Sequence, residues 1–246
     1  MEFVYSMPIK EITENFTLDR IVPFFQPIMD LEAGSVWRYE CLARLINEQE
    51  DTFLPNEFLY LVERNNWIHE LTETMMLQSA HYFRHLNMPW NINIDTQDLL
   101  NPNLVPFIQA LVSDYPNRER ISVELTAHAA LNYEKELSQF VATCEDYRIG
   151  IFIDNLGSSP VNVGRLLDLP ITGVKLSGSL INHYTENPEV KEYVQNVCEL
   201  AAKRNVCVVA EHIETQATLE ILKSLSIQYA QGYLFSRPNS TIDCVT

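Results

Sequence analysis

The segment "IGIFIDNLGSS", residues 149–159, ends an apolar stretch in a carboxylate and an amide, Asp154 and Asn155. Asp, Asn, Gly and Ser all suit tight turns, so a plain turn is one interpretation. A metal site is the second interpretation, because carboxylate and amide oxygens are ligands for hard divalent cations. The same pattern repeated along the chain would favour the metal site.

Polar side chains do follow apolar stretches elsewhere in the chain. Seven of them lie at or near the end of such a stretch: Glu40, Asn93, Glu124, Asp154, Lys175, Glu211 and Gln231. One carboxylate at a strand end is readily explained as a cap or a loop brace, but chance does not readily place seven polar residues in succession. If the strands form a barrel, their carboxyl ends converge on the face where such folds carry their chemistry.

Oxygen donors dominate this set and indicate a hard metal ion. Four of them match the preference of Mg²⁺ or Mn²⁺: Glu40, Asn93, Glu124 and Asp154. Lys175 is suited to orient a water molecule or to offset charge on a phosphoryl oxygen. Glu211 is suited to act as a general base or as a ligand of a second ion.

The elements that must position these residues alternate in type. Eight apolar stretches are separated by amphipathic helical patterns: "IVPFFQPI", "VWRYECL", "NINID", "ISVEL", "IGIFID", "TGVKL", "VCVVAE" and "YAQGYLF". Almost wholly apolar strands that alternate with helices are typical of a parallel sheet covered on both faces. The pattern predicts an α/β fold, a single-domain (β/α)8 TIM-like barrel, and Ser159 with Pro160 predict a helix start.

Two other architectures were weighed against the barrel. A doubly wound open sheet is the alternative, but the Gly-x-Gly-x-x-Gly dinucleotide loop is missing. The length of 246 residues also allows two modest domains, yet no linker rich in Pro, Gly or Ser divides the chain. We therefore expect one domain.

Composition limits the classes of function. The formal net charge of −16 argues against a nucleic-acid groove and against direct contact with an anionic membrane, since both need clustered Lys and Arg. Five cysteines without a CxxC pair argue against a disulfide scaffold and favour a reducing cytoplasm. Neither a signal peptide nor a membrane span is evident, so we expect a cytoplasmic protein or the cytoplasmic domain of a larger one.

The motifs together resemble those of the EAL domain family. "FFQPIMDLEAGSVWRYECLARL" is similar to the segment that names the family, with Glu40-Cys41-Leu42 at the Glu-Ala-Leu position. "NINIDTQDL", "ISVELTAH", "VVAEHIET" and "AQGYLFSRP" are similar to further family motifs. This resemblance predicts a lead-in segment at residues 1–20 and an EAL domain at residues 21–246.

The resemblance implies a cyclic di-GMP site with Mg²⁺ or Mn²⁺. It implies that the first metal is held by Glu40, Asn93, Glu124 and Asp154, that Lys175 and Glu211 handle the attacking water, and that Gln231 supports the site. Active members of the family open cyclic di-GMP to the linear dinucleotide by a two-metal in-line displacement. Arg44 would contact a phosphate, and the residues expected to bind the ligand are Gln26, Leu42, Arg44, Gln231 and Pro238.

Departures from the family pattern concern the second metal. Asn155 stands where active members carry a second aspartate, and a neutral amide binds a cation more weakly than a carboxylate. The following loop reads "GSSPVN" instead of Gly-Thr-Gly-Tyr, which alters a segment that normally links the metal site to dimer contacts. Ala127 and Ser177 replace an expected glutamate and aspartate. We therefore expect a first metal and a weakened second site.

The resulting hypothesis is a degenerate EAL domain that binds cyclic di-GMP and acts as a signalling receptor with little or no hydrolysis. A weakly active phosphodiesterase is the alternative, because Glu40, Lys175 and Glu211 are kept. A protein-interaction module that no longer binds nucleotide is the second alternative. The resemblance also admits a homodimer, a protein partner or an N-terminal sensory domain, and His128 and His212 are interpreted as loop or surface residues.

Overall fold

The computed structural model of this protein describes residues 16–225 and 227–242. Most of the predicted lead-in segment, residues 1–15, lies outside the described residues, and so does Cys244. The described part of the lead-in contains a 3₁₀ turn at Leu18–Arg20, which runs directly into the first strand.

The strands of the described residues form one sheet. They are β1 (Ile21–Asp30), β2 (Ser35–Ile46), β3 (Thr52–Phe53), β4 (Trp90–Asn93), β5 (Ile121–Thr126), β6 (Gly150–Leu156), β7 (Gly173–Leu176), β8 (Cys207–Ala210) and β9 (Tyr229–Gln231). Eight strands close into a barrel in the order β1-β9-β8-β7-β6-β5-β4-β2, because β1 pairs with both β9 and β2. The short β3 pairs with the end of β2 and lies outside the ring. The predicted eight-stranded α/β barrel is therefore confirmed.

The first strand differs from the prediction of a wholly parallel sheet. β1 runs antiparallel to β2 and to β9, whereas the neighbours from β2 through β4 to β9 are parallel. The connection between β1 and β2, residues 31–34, is long enough for a hairpin but too short for the crossover that a parallel pair requires. Asp30 accepts hydrogen bonds from the backbone N–H groups of Glu32 and Ala33, and Gly34 has a φ of +65°. The residues of this turn thus favour the hairpin.

Helices cover the outside of the barrel. They are α1 (Pro55–Arg64), α2 (Ile68–Phe83), α3 (Thr96–Leu100), α4 (Leu104–Val112), α5 (Ala127–Asn132), α6 (Glu134–Tyr147), α7 (Val163–Leu167), α8 (Gly178–His183), α9 (Pro188–Arg204) and α10 (Gln216–Ser224). The helix start predicted at Ser159 and Pro160 is wrong by three residues, because α7 begins at Val163. Asn162 caps it by accepting a hydrogen bond from the N–H of Arg165 at 3.0 Å.

The core lies between the barrel and its helices. Trp90 is fully buried and stacks on Phe83 with 5.9 Å between ring centroids. Trp90 therefore packs in the core. None of the described helices combines the length and the apolar character that crossing a bilayer requires.

Candidate functional site

Four carboxylates surround one ammonium group inside the barrel. Lys175 on β7 is 1% exposed, and its Nζ lies 2.8 Å from Glu40 Oε2 and 2.8 Å from Glu124 Oε2. The same Nζ lies 2.9 Å from Glu211 Oε1 and 3.6 Å from Asp154 Oδ1. These five residues are called the carboxylate ring below.

The sheet brings the ring together through its register. Glu124, Asp154 and Lys175 lie near the carboxyl ends of the parallel strands β5, β6 and β7, and Glu211 directly follows β8. Glu40 lies in the middle of the long strand β2, whose neighbour β4 ends at Asn93. The sequence-predicted residues therefore meet on one face of the barrel, as the positions of the strand ends indicate.

Amide side chains hold the Glu40 carboxylate. Asn93 Nδ2 donates to Glu40 Oε1 at 2.9 Å, and Gln231 Nε2 donates to Glu40 Oε2 at 2.8 Å. Gln231 Nε2 also lies 3.1 Å from Gln26 Oε1, and Gln26 Nε2 donates to the carbonyl of Ser236 at 3.1 Å. Gln26 on the antiparallel strand β1 thus joins the site through Gln231.

The ring shifts the pKa values of its members in opposite directions. Burial alone would lower the pKa of Lys175, but the surrounding carboxylates raise it well above its ordinary value. Burial alone would raise the pKa of Glu40, but the charge of Lys175 and the hydrogen bonds to Glu40 keep it below its ordinary value. Burial and the negative charge of Glu40 raise the pKa of Glu124. Lys175 therefore stays charged at neutral pH.

Glu211 is the member whose protonation responds to pH near neutrality. Burial is the main cause that raises its pKa to about 7, and the negative charges of Asp154 and Glu40 add to the effect. The charge of Lys175 opposes the shift but does not cancel it. A carboxyl with this pKa can both accept and return a proton near pH 7, as a general base must.

A lower layer of polar side chains lies beneath the ring, formed by Arg38, Asn91 and Ser122. Arg38 Nη1 donates to Asn91 Oδ1 at 2.6 Å and to Ser122 Oγ at 2.7 Å. Asn91 Nδ2 donates to Glu124 Oε1 at 2.6 Å. Our sequence interpretation missed this layer. Its three members lie two residues before Glu40, Asn93 and Glu124. Because side chains two residues apart in a strand point to the same face of the sheet, each member shares a face with the site residue that follows it. The spacing in the sequence could therefore have indicated this layer.

A cavity of about 430 Å³ opens beside the ring. All five residues expected to bind a ligand line it: Gln26, Leu42, Arg44, Gln231 and Pro238. Arg44 is buried there, with 7% of its surface exposed, and burial lowers the pKa of its guanidinium. His212, Glu214, Gly232 and Tyr233 also line the cavity, although our sequence interpretation did not place them in the site.

The altered segment at the end of β6 departs from regular strand geometry at Asn155. Asn155 is exposed and has a left-handed backbone with φ of 55°. Its carbonyl accepts hydrogen bonds from the backbone N–H of Ser158 at 3.3 Å and from the Ser158 hydroxyl at 2.8 Å. Nearby, Gly157 has a φ of +97°, and Ser177 is buried with a hydroxyl that has no hydrogen-bond partner. The segment is thus a tight turn that begins at Asn155.

The donor set fits a hard divalent cation by its chemistry. The ring and Asn93 supply carboxylate and amide oxygens, and the buried Oδ1 of Asp154 has no hydrogen-bond partner. As they stand, however, no three His, Cys, Asp or Glu side chains of the described residues are arranged to hold a metal ion. The ammonium of Lys175 lies between the carboxylates, so a cation would require them to turn away from it.

Comparisons with known proteins agree with the fold and with the motifs. The family model described as the EAL domain matches residues 9–238. The probable cyclic di-GMP phosphodiesterase PdeG of Escherichia coli (strain K12) is 28% identical over 232 residues, which cover 92% of this chain and 46% of that protein. This chain therefore spans less than half of the length of that relative.

Two solved structures show the same architecture. The FimX EAL domain of Pseudomonas aeruginosa, bound to c-di-GMP, has a TM-score of 0.85 at 20% identity, with 97% of this chain and 98% of that chain covered. The EAL domain protein of Listeria monocytogenes EGD-e has a TM-score of 0.86 at 20% identity, with 97% and 96% covered. At these identities the likeness shows the fold.

Proposed function

Because this chain belongs to the EAL domain family, we propose that it binds cyclic di-GMP in the cavity beside the carboxylate ring and hydrolyses it slowly or not at all. The names of its relatives support the choice of ligand. The relative from E. coli is called a probable cyclic di-GMP phosphodiesterase, and the FimX EAL domain was solved with c-di-GMP bound.

The chemistry of the cavity supports binding of this ligand. Its volume of about 430 Å³ is in the range of small-molecule sites. Arg44 lines the cavity and carries a positive charge that can pair with a phosphate. We propose that Gln26, Leu42 and Pro238, which line the same cavity, contact the remainder of the nucleotide.

We propose that a divalent cation, Mg²⁺ or Mn²⁺, binds beside the ligand. The residues that would hold it are Glu40, Asn93, Glu124 and Asp154, and the assignment is supported by the buried Oδ1 of Asp154, which accepts no hydrogen bond. Such an ion would offset phosphate charge and lower the pKa of a water molecule. Gln231 and Asn93 orient the Glu40 carboxylate for this role, since both amides donate to it.

Asn155 is the reason for proposing that hydrolysis is weak. It is an exposed amide at the position where the resemblance implies a second carboxylate. An amide contributes no charge, so a second cation would be held less firmly, and clamping both reacting oxygens is a large part of two-metal catalysis. We therefore assign the chain a receptor role.

A weakly active phosphodiesterase is the second candidate, and Glu211 favours it. A carboxyl with a pKa of about 7 is matched to general-base work at neutral pH. Lys175, at 2.9 Å from Glu211, would hold this carboxylate in place and offset its charge after it ionises.

The test is to incubate excess protein with cyclic di-GMP and MgCl₂ or MnCl₂, to separate bound from free nucleotide by ultrafiltration, and to identify the nucleotide by chromatography. Intact nucleotide retained by the protein would support the receptor. Linear dinucleotide would overturn it in favour of the phosphodiesterase. Neither retention nor product would contradict both and favour the protein-interaction module.

Two controls sharpen this experiment. Arg44→Met removes the cavity arginine and is expected to abolish retention. Arg118→Met is the matched control. The guanidinium of Arg44 lies 5.9 Å from the Phe24 ring centroid and that of Arg118 lies 5.2 Å from the Tyr147 ring centroid, but Arg118 does not line the cavity. EDTA treatment is expected to reduce retention if the cation takes part.

Several expectations from the sequence stay predictions. They are the boundary between residues 20 and 21, a homodimer, a protein partner or N-terminal sensory domain, and a cytoplasmic location. Light scattering coupled to size-exclusion chromatography, with and without cyclic di-GMP, would test the homodimer.

A further inference from the structure

A buried arginine lies beneath the carboxylate ring without a carboxylate partner of its own. Arg38 is 6% exposed, and its guanidinium lies 4.4 Å from the Trp37 ring centroid and 4.9 Å from that of Phe152. Its hydrogen-bond acceptors, Asn91 and Ser122, are both neutral. Within the described part of the chain, no carboxylate forms an ion pair with it.

Burial of this cation is unfavourable for stability. Its Nε has no hydrogen-bond partner, and burial lowers the pKa of the guanidinium to about 10, although the group stays charged at neutral pH. An apolar side chain of similar volume would fill the same space at a lower desolvation cost. Gly173 leaves room for the Phe152 ring that Arg38 covers, because a Cβ there would lie 2.5 Å from Cε1 of that ring.

The arginine determines the direction of the Asn91 amide. A guanidinium has only donors, so the atom of Asn91 that faces Arg38 must be the acceptor Oδ1. Nδ2 of Asn91 must then face the opposite way, where it donates to Glu124 Oε1 at 2.6 Å. Because Oε1 of Glu124 accepts this bond from Asn91, Oε2 faces the ring. Oε2 lies 2.8 Å from Lys175 Nζ.

We infer that Arg38 is a positioning residue that acts through Asn91: it fixes the amide so that Glu124 is held by one oxygen and offers the other to the cation site. This inference deepens the proposed function, because Glu124 is one of the proposed metal ligands. Without Arg38 the Asn91 amide is free to rotate, and its Oδ1 would then repel the Glu124 carboxylate and release it from its orientation.

A purely electrostatic role of Arg38 predicts the opposite change in metal affinity when Arg38 is replaced. The charge of Arg38 repels a divalent cation in the ring above it, so loss of that charge alone would strengthen metal binding. Loss of positioning would weaken it. Metal affinity therefore distinguishes the two roles.

The first experiment measures the NMR resonances of the Asn91 side-chain amide in metal-free protein. The side-chain ¹H–¹⁵N resonances of Asn91 are assigned by their loss in Asn91→Leu. We expect the short bond to Glu124 to shift one Asn91 amide proton downfield. This downfield shift is expected to be lost in Arg38→Met and kept in Arg38→Lys, because an ammonium group is also only a donor. An unchanged resonance in Arg38→Met would overturn the inference.

The second experiment measures Mn²⁺ affinity by electron paramagnetic resonance. Arg38→Met and Asn91→Leu are each expected to weaken binding about tenfold, which is within the range for residues that orient metal ligands. The double variant is expected to lose no more than either single variant, because both changes break the same connection. Tighter binding in Arg38→Met alone, or additive losses, would overturn the positioning role.

Matched controls separate this role from general damage. Ser122→Ala removes the other acceptor of Arg38 but leaves Asn91 and Glu124 intact, so we expect Mn²⁺ affinity within about twofold of wild type. Thermal melting verifies that each variant folds. If wild-type protein does not bind Mn²⁺, the proposed metal site fails, and the amide resonance still decides whether Arg38 orients Asn91.

Discussion

At the residue scale, the carboxylate ring holds more negative charge than Lys175 neutralises. Four carboxylates lie within 3.6 Å of a single ammonium, and Arg38 approaches them only through Asn91. Such an excess is relieved either by a proton or by a bound cation. The raised pKa of Glu211 corresponds to relief by a proton, and the proposed metal ion corresponds to relief by a bound cation.

Replacement of Asn155 by aspartate tests the reason for weak hydrolysis. Asn155→Asp adds a carboxylate at the position proposed for the second cation. We expect the release of linear dinucleotide in MnCl₂ to increase about tenfold or more over wild type, because the second ion is then held by charge. Chromatography of the product over time measures the rate.

The control for this prediction has the same substitution in the same backbone conformation. Asn66 is exposed and has a φ of 56°, close to the 55° of Asn155, but does not belong to the site. Asn66→Asp is expected to leave the rate unchanged. If Asn155→Asp also leaves it unchanged, the missing charge is not what limits hydrolysis.

The raised pKa of Glu211 predicts a pH dependence of stability in metal-free protein. Between its ordinary pKa of 4.5 and the folded value of about 7, the folded chain keeps a proton that the unfolded chain loses. This contribution is fully present below about pH 4.5 and is lost as the pH rises through about 7. Its size is on the order of 3 kcal/mol.

Glu211→Gln removes the titration. The free energy of unfolding of the variant relative to wild type is therefore expected to rise between about pH 5 and about pH 8, as measured by urea titration. Glu70→Gln, on the exposed side of α2, is the matched control. A difference for Glu211→Gln that does not change with pH would contradict a raised pKa.

At the scale of elements, the turn after β6 depends on the absence of a side chain at Gly157. A Cβ there would lie 2.2 Å from Leu180 Cδ1 on α8, and the φ of +97° disfavours any L side chain. Gly157→Ala is expected to lower the free energy of unfolding by about 1–3 kcal/mol, measured by urea titration.

Gly164 offers the matched control within the neighbouring helix. Outside the backbone of its own helix, the atom nearest to a Cβ at Gly164 would be Asn162 Oδ1, at the ordinary contact distance of 3.5 Å. Gly164→Ala is therefore expected to be neutral or to stabilise α7 by up to about 1 kcal/mol. Equal losses in both variants would show that the clash with Leu180 is not the cause.

The strands were predicted correctly from the sequence where a continuous apolar stretch marks them. Each apolar stretch became a barrel strand, because burial on both faces selects such stretches. The direction of β1 was missed because periodicity does not encode direction, whereas the short connection at residues 31–34 does limit it. The start of α7 was misplaced because Ser159 and Asn162 are both good caps, and only packing selects between them.

The sequence predicted that the side chains at the strand ends lie together, but it did not identify the layer below them, and the roles of these residues stay predictions. Lys175 and its carboxylates were identified because the barrel topology brings strand ends together. The two-residue period indicates the strand face on which Arg38 and Asn91 lie, but their contacts depend on the register between β2, β4 and β5. Register is a property of the folded sheet that single stretches do not specify.

At the scale of the whole molecule, the net charge of −16 opposes the approach of an anionic ligand. Cyclic di-GMP carries two phosphodiester charges, and salt screens the repulsion over a distance of about 10 Å. We expect its association rate constant to rise severalfold between about 20 mM and about 200 mM NaCl at constant Mg²⁺, as measured by stopped flow.

The opposite salt dependence would be equally informative. A rate constant that falls with salt would mean that Arg44 and its surroundings, rather than the overall charge, guide the ligand into the cavity. Potassium glutamate in place of NaCl is the control for specific effects of chloride.

The position of β1 between β2 and β9 has a consequence for synthesis of the chain. Ile28 pairs with Gln231, and Phe25 with Asn239, so the first barrel strand to leave the ribosome is bonded to residues at the far end of the barrel sequence. Until those residues emerge, the nascent sheet has two open edges that can pair with other chains. Emergence of β9 must therefore precede ring closure, and a ribosome stalled before residue 229 would display an aggregation-prone, unclosed sheet.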